Sequence, residues 1–135
     1  MKSNYFKVFL ESRRKMYKEY DSMYCSCLKE DVVFNISGFN HLRFKIDNTP
    51  RNPKEAMYKL GLLPLVRPVI YKAKNIDSYE IRMSPIGGSR KKVIRKVEYW
   101  SLISKVGKKD IKTRVILRRI EKGKMHFWSV MKLVK

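Results

Sequence analysis

The last third of the chain constrains the fold most tightly. Val93 to Val106, Ile111 to Ile120 and Met125 to Leu133 are three runs rich in β-branched and aromatic residues, separated by Gly107-Lys108-Lys109-Asp110 and Glu121-Lys122-Gly123-Lys124. Runs of this composition joined by such short turn sequences form an antiparallel meander. Upstream, the pattern is different. Phe6, Phe9, Leu10, Met16, Tyr17 and Tyr20 recur at helical spacing with cations between them, which predicts an amphipathic helix over residues 4–20. Val32 to Ile36 is a short extended run closed by Ser37-Gly38, and Asn48 to Pro53 is a turn, because its two prolines and two asparagines exclude regular structure. Asn52 as N-cap with Pro53 at the first helical position predicts a second helix, buried through Ala56, Met57, Leu60 and Leu63. Gly61 and Pro64 weaken and end it before an apolar segment from Leu65 to Lys72. One strand is expected at Tyr79 to Met83, with a turn over Gly87 to Lys92. Helices first and sheet last is an α+β arrangement: N-terminal helices packed on one face of a C-terminal antiparallel β-sheet, in a single domain spanning residues 1–135.

If Lys122-Gly123 closes a two-residue hairpin, Ile120 faces Met125, Arg118 faces Phe127, Leu117 faces Trp128 and Ile116 faces Ser129. Alternation then puts Thr113, Val115, Leu117, Trp128 and Val130 on the face to be buried, with Arg119 and His126 at its rim. Lys112, Arg114, Ile116, Arg118, Phe127, Ser129 and Met131 fall on the other, open face. Cations alternating with exposed apolar groups suit RNA: Arg and Lys for phosphates, Phe127 as a stacking surface, and Tyr99 or Trp100 from the neighbouring strand as a further ring.

Charge points to the same partner. Thirty-two Lys and Arg against 12 Asp and Glu give a net charge of +20. Self-repulsion on that scale is relieved by a polyanion, and nucleic acid leads because phosphate neutralisation releases counterions. No apolar run reaches the roughly 18 to 20 residues needed to span a bilayer, so no membrane partner is expected and a cytoplasmic location is. Cys25 and Cys27 are too close for ordinary disulfide geometry and lack a second Cys/His cluster, so they read as free thiols.

Of the acidic residues, only Asp77 and Glu80 resemble a metal-nuclease pair, and that spacing is usually ordinary surface; no metal and no cofactor are called for. Metal-free RNA cleavage needs a base for the 2′-hydroxyl, an acid for the 5′-oxygen and cations for the phosphate. His41 and His126, the only histidines, both lie among basic and aromatic residues. A non-catalytic RNA- or ribosome-binding module on the same face explains the charge without any chemistry, and a duplex-DNA binder is a third reading without a supporting motif.

Gly38-Phe39-Asn40-His41-Leu42, then Arg51, a Lys/Arg-rich helix and Leu62-Leu63-Pro64, resembles the first motif region of phage- and mobile-element-associated nucleases of the barnase/EndoU/colicin/RelE superfamily. Val115 to Arg119 and Met125 to Val130 resemble its closing hairpin. The resemblance implies a metal-independent endoribonuclease of toxin or defence type, cleaving RNA by 2′-hydroxyl transesterification on the open sheet face. It maps His41 onto the first-motif histidine and Ser129 onto the last-strand hydroxyl, with Arg114 and Arg118 at basic positions and Tyr99 as a further catalytic candidate. Arg43, Lys45, Arg51, Lys112, Phe127 and His126 would extend the RNA groove, and no Glu is evident as the base. Single-stranded or structured RNA would be the partner, and any neutralising antitoxin or immunity protein would be acidic by charge complementarity.

Overall fold

A computed structural model describes residues 2–87 and 92–133. The expected first helix is α1 (Lys2–Tyr20), and it ends at Asp21, whose positive φ turns the chain. A short hairpin follows, β1 (Ser22–Cys25) and β2 (Glu30–Val33). The extended run expected to reach Ile36 stops earlier, because the Asn35 side chain accepts a hydrogen bond from the Gly38 N–H and so caps a helix, α2 (Ile36–Arg43). The segment carrying His41 is therefore helical.

Phe44 to Arg51 then doubles back on itself. The Lys45 N–H donates to the Thr49 carbonyl and the Arg51 N–H to the Arg43 carbonyl, with Asn48 at positive φ in the bend. Asn52 caps α3 (Pro53–Gly61) through Glu55 N–H, with Pro53 in the first turn as the sequence predicts. A 3₁₀ turn over Leu63–Leu65 leads into α4 (Val66–Lys72). The remaining strands are β3 (Ser78–Gly87), β4 (Lys92–Val106), β5 (Ile111–Ile120) and β6 (His126–Lys132). Most of the turn expected between Gly87 and Lys92 lies outside the described residues.

The six strands form one sheet in the order β1-β2-β6-β5-β4-β3, antiparallel throughout except where β2 meets β6 at Val33 and His126. This is the α+β architecture expected, with an N-terminal hairpin added to the meander. Trp100, Leu102, Val115, Leu117, Phe127 and Val130 share the helix-facing side and join Val66, Val69 and Ile70 of α4 in a single buried cluster. The far ends of β3 and β4 leave this body as an arm on which Ile81, Met83, Val93 and Ile94 are exposed. Along β6, two side chains of α3 occupy the strand's free edge: Lys59 Nζ donates to the Val130 carbonyl, and the Lys132 N–H donates to the Tyr58 hydroxyl. Unpaired edge groups are thus satisfied without another strand.

The hairpin register corrects one expectation. Thr113 to Ile116 pair with Lys132 to Ser129 as expected, but the connection is longer than two residues, running from Glu121 to Met125. A β-bulge at Ile116/Leu117 then leaves Trp128 without an opposite residue, so that Leu117 faces Phe127 and Arg118 faces His126. Phe127 and Trp128 exchange sides relative to strict alternation. Phe127 is fully buried within 5.9 Å of the Phe34 ring and 6.1 Å of the Tyr17 ring, and it offers no stacking surface to RNA. The aromatic cluster beneath the sheet decides which ring goes inward.

Helix α2 reaches the bulge because residue 38 is glycine. A Cβ there would lie 2.3 Å from the Phe127 carbonyl oxygen and 2.9 Å from the Tyr17 hydroxyl. Gly38→Ala is therefore expected to lower unfolding stability by about 1 to 3 kcal/mol or more. Gly61→Ala, where nothing lies within 4 Å, should instead raise it by about 0.5 to 1 kcal/mol. Urea unfolding of both variants checks the contrast.

Candidate functional site

The bulge turns Trp128 outward onto the open face of the sheet, where it forms part of a cleft of about 410 Å³. Ile116, Ser129 and Met131 line it from β5 and β6, and Tyr99, Glu80 and Arg82 from β4 and β3. The helical side supplies His41 from α2, Arg51 from the turn, and Glu55 and Lys59 from successive turns of α3. Arg51 ties this side together: Nε donates to the His41 carbonyl at 3.1 Å and Nη1 to Glu55 at 3.0 Å. It joins the last turn of α2 to the first turn of α3.

His41 is three residues beyond Gly38, so the close approach at Gly38 lays the imidazole against the indole of Trp128. The rings stack at 4.0 Å between centroids with 11° between planes. The Arg118 guanidinium carbon lies 3.4 Å from the same indole centroid. Both groups on one face would overlap, so the indole is held between them. Behind it, Arg118 Nε donates to His126 Nε2 at 3.0 Å. That bond requires an unprotonated Nε2, which leaves Nδ1 as the protonated nitrogen, facing the Lys124 carbonyl at 3.4 Å.

Both histidines are held neutral. Burial, followed by Arg51, Lys59 and Arg118, lowers the His41 pKa from 6.5 to about 4. Burial and then Arg118 do the same to His126. Burial, followed by the neighbouring Arg51, also pushes the Lys59 ammonium down, with Glu55 opposing. An imidazole that stays unprotonated in neutral solution can accept a proton. Beside it stand two carboxylates, two hydroxyls and three cations, a set from which phosphodiester chemistry can be built.

Of the residues singled out from sequence, His41, Arg51, Tyr99 and Ser129 meet at this cleft. Glu80, considered for a metal pair, lines it too; the other candidates do not. Arg118 is 5% exposed and sits behind Trp128, out of reach as a phosphate clamp. His126 is 4% exposed and likewise cannot meet RNA directly. Arg114 pairs with Asp77 at 3.4 Å. Arg43 lies over Phe44 and near Arg14 of α1, Lys45 is exposed on the turn after α2, and Lys112 is exposed opposite Lys105. Asp77 and Glu80 serve different arginines, Arg114 and Arg82. Among the described residues no three His, Cys, Asp or Glu side chains converge.

Glu55, Lys59, Arg82 and Trp128 are cleft residues that the sequence reading missed. Glu55 and Lys59 are four apart on a helix recognised from its cap, so their shared face was legible. That this face meets the edge of β6 was not.

No family model, curated protein or solved structure matches the chain. Among the described residues no helix is long and apolar enough to cross a membrane.

The depressed histidines make stability pH-dependent. Their folded pKa lies below the unfolded value, so the unfolded chain binds more protons at acid pH; stability is full above about pH 6.5 and falls as pH drops towards 4. The His126 contribution is on the order of 3 kcal/mol. Urea unfolding from pH 7.5 down to 4.5 should show the loss, and His126→Gln should flatten the profile.

Proposed function

We propose that the chain is a metal-independent endoribonuclease that cleaves RNA by attack of a 2′-hydroxyl on the adjacent phosphodiester. The observation that carries this reading is a neutral imidazole, His41, fixed in a cleft beside Ser129 and Tyr99 and surrounded by Arg51, Lys59 and Arg82, in a chain of net charge +20. His41 takes the 2′-hydroxyl proton as the 2′-oxygen attacks phosphorus. Arg51, with donors left over from its bonds to His41 and Glu55, and Lys59 face the charge that gathers on the phosphoryl oxygens, and Ser129 donates to one of them. The bond to the 5′-oxygen breaks, leaving a 2′,3′-cyclic phosphate, and that oxygen takes a proton from a cleft donor, Tyr99 or Lys59. The nucleophile belongs to the substrate, so DNA is not cleaved. The reading agrees with the resemblance to metal-free nucleases of the barnase/EndoU/colicin/RelE superfamily.

The same geometry favours a second reading on one point. Stacking on Trp128 makes His41 a flat platform with one ring face turned from the indole, as a non-catalytic RNA-binding module would use.

Incubation of end-labelled RNA and matched DNA with the protein in EDTA separates the two. Cleavage of RNA alone with cyclic phosphate ends is expected; intact RNA with salt-sensitive binding would leave the binding module. His41→Ala should lower kcat/KM by at least about 10²-fold while RNA affinity stays nearly unchanged. Because the base must be unprotonated, kcat/KM should hold steady down the acid range and fall only near pH 4, where His41 titrates, rather than near 6.5.

A further inference from the structure

The proposed chemistry leaves one group without a role. Arg118 is a guanidinium at 5% exposure, and no carboxylate pairs with it among the described residues. Burying such a charge costs free energy, and its surroundings offset this only through weaker contacts: the Trp128 indole, the His126 ring nitrogen and the neighbouring Tyr99. A methionine or leucine would fill the space without that cost. What the guanidinium alone provides is a flat cation pressed on the indole face opposite His41.

We infer that Arg118 is a positioning residue for His41, acting through the Trp128 indole that lies between them. The inference rests on the proposed cleavage for its kinetic consequences but not for its structural ones. His126 fixes the plane of the guanidinium through the Nε bond, and the Lys124 carbonyl sets which ring nitrogen can accept that bond. The guanidinium packs one face of the indole, the indole packs one face of the imidazole, and Arg51 holds the backbone of His41 from the other direction. The base is therefore held at both its ring and its main chain. Arg118 also adds a positive charge across the indole from the imidazole, near enough to disfavour its protonation.

Other charged groups face His41 as well. Arg51, Glu55 and Lys59 do so from the turn and α3, and Glu80, Arg82 and Tyr99 from across the cleft. The test therefore changes Arg118 alone. In Arg118→Met the packing volume stays and the charge goes; in Arg118→Lys the charge stays and the flat stack goes. His41 is followed by NMR titration of its ring proton, which needs no activity, alongside kcat and KM on RNA. Arg118 is the least of the cations that lower the His41 pKa, so Arg118→Met is expected to raise it by a few tenths of a unit, about 0.5 at most, and to move the acid limb of kcat/KM with it. Arg118→Lys should leave that limb in place but lower kcat about 10-fold or more at unchanged KM, because an ammonium cannot lie flat on the indole.

A His41 titration unchanged in Arg118→Met, or a rise in KM at constant kcat in Arg118→Lys, would overturn the inference, the latter because Arg118 would then be contacting substrate. If Arg118→Met does not fold, Arg118→Lys decides. A shifted titration in a protein that never cleaves RNA would retain the coupling and refute the nuclease reading alone.

Discussion

The approach of α2 to the bulged end of β6 governs both the packing and the site. Gly38 lets the helix backbone come down onto the Phe127 carbonyl, closer than any side chain would permit. One residue on, the bulge sends Trp128 to the opposite side of the sheet from Phe127. Phe127 enters the cluster of Tyr17, Phe34 and Phe39 beneath, and Trp128 meets His41 above. A regular hairpin would reverse both placements. The core would lose its central ring, and His41 would have nothing to stack on.

Around that contact, most polar groups are accounted for by short local motifs. Asn35 and Asn52 cap the two helices that bear the cleft residues, and Arg51 bridges the end of one to the start of the next. Tyr58 and Lys59 close the exposed edge of β6. The elements that carry His41, Glu55 and Lys59 are thus anchored to the sheet at several points. Catalytic geometry demands this, since a misplacement of about 1 Å can cost two orders of magnitude in rate.

Much of this was legible from residues alone. The β5 boundaries, the Asn52-Pro53 helix start and the helices-then-sheet order follow from local signals, namely turn residues, a cap and apolar periodicity, and the structure retains them. His41 and Arg51 lie far along the chain from Tyr99 and Ser129 and still share one cleft with them. The failures share a physical cause. The bulge has no local signature, because nothing in Met125 to Ser129 says which of two adjacent aromatic rings the distant Tyr17 and Phe34 will accept. Once Phe127 goes inward, Arg118 is covered by Trp128, and the phosphate-clamp role read for it disappears. The Asn35 cap was overlooked for the converse reason: Val32 to Ile36 has strong β character, and one side-chain hydrogen bond outweighed it at its end.

The charges about the cleft are uneven in a way that fits the proposed chemistry. Arg51 is paired with Glu55 and Arg82 with Glu80, whereas Lys59 and Arg118 have no ion-pair partner among the described residues. Lys59, half-buried, therefore stands in the cleft with Ser129 and His41 without a direct ion pair, while Arg118 lies behind Trp128 and reaches the cleft only through its field. A phosphodiester brings one negative charge, and the pentacoordinate arrangement formed by 2′-hydroxyl attack brings nearly a second. A cleft whose three cations, Arg51, Lys59 and Arg82, outnumber its two carboxylates, Glu55 and Glu80, is better matched to the second state than to the first, which is the condition for lowering a barrier rather than merely binding a substrate. Burial is the first reason both histidines stay neutral, and the excess of cations adds to it: any proton placed on this stack would be desolvated and would join positive charge already there.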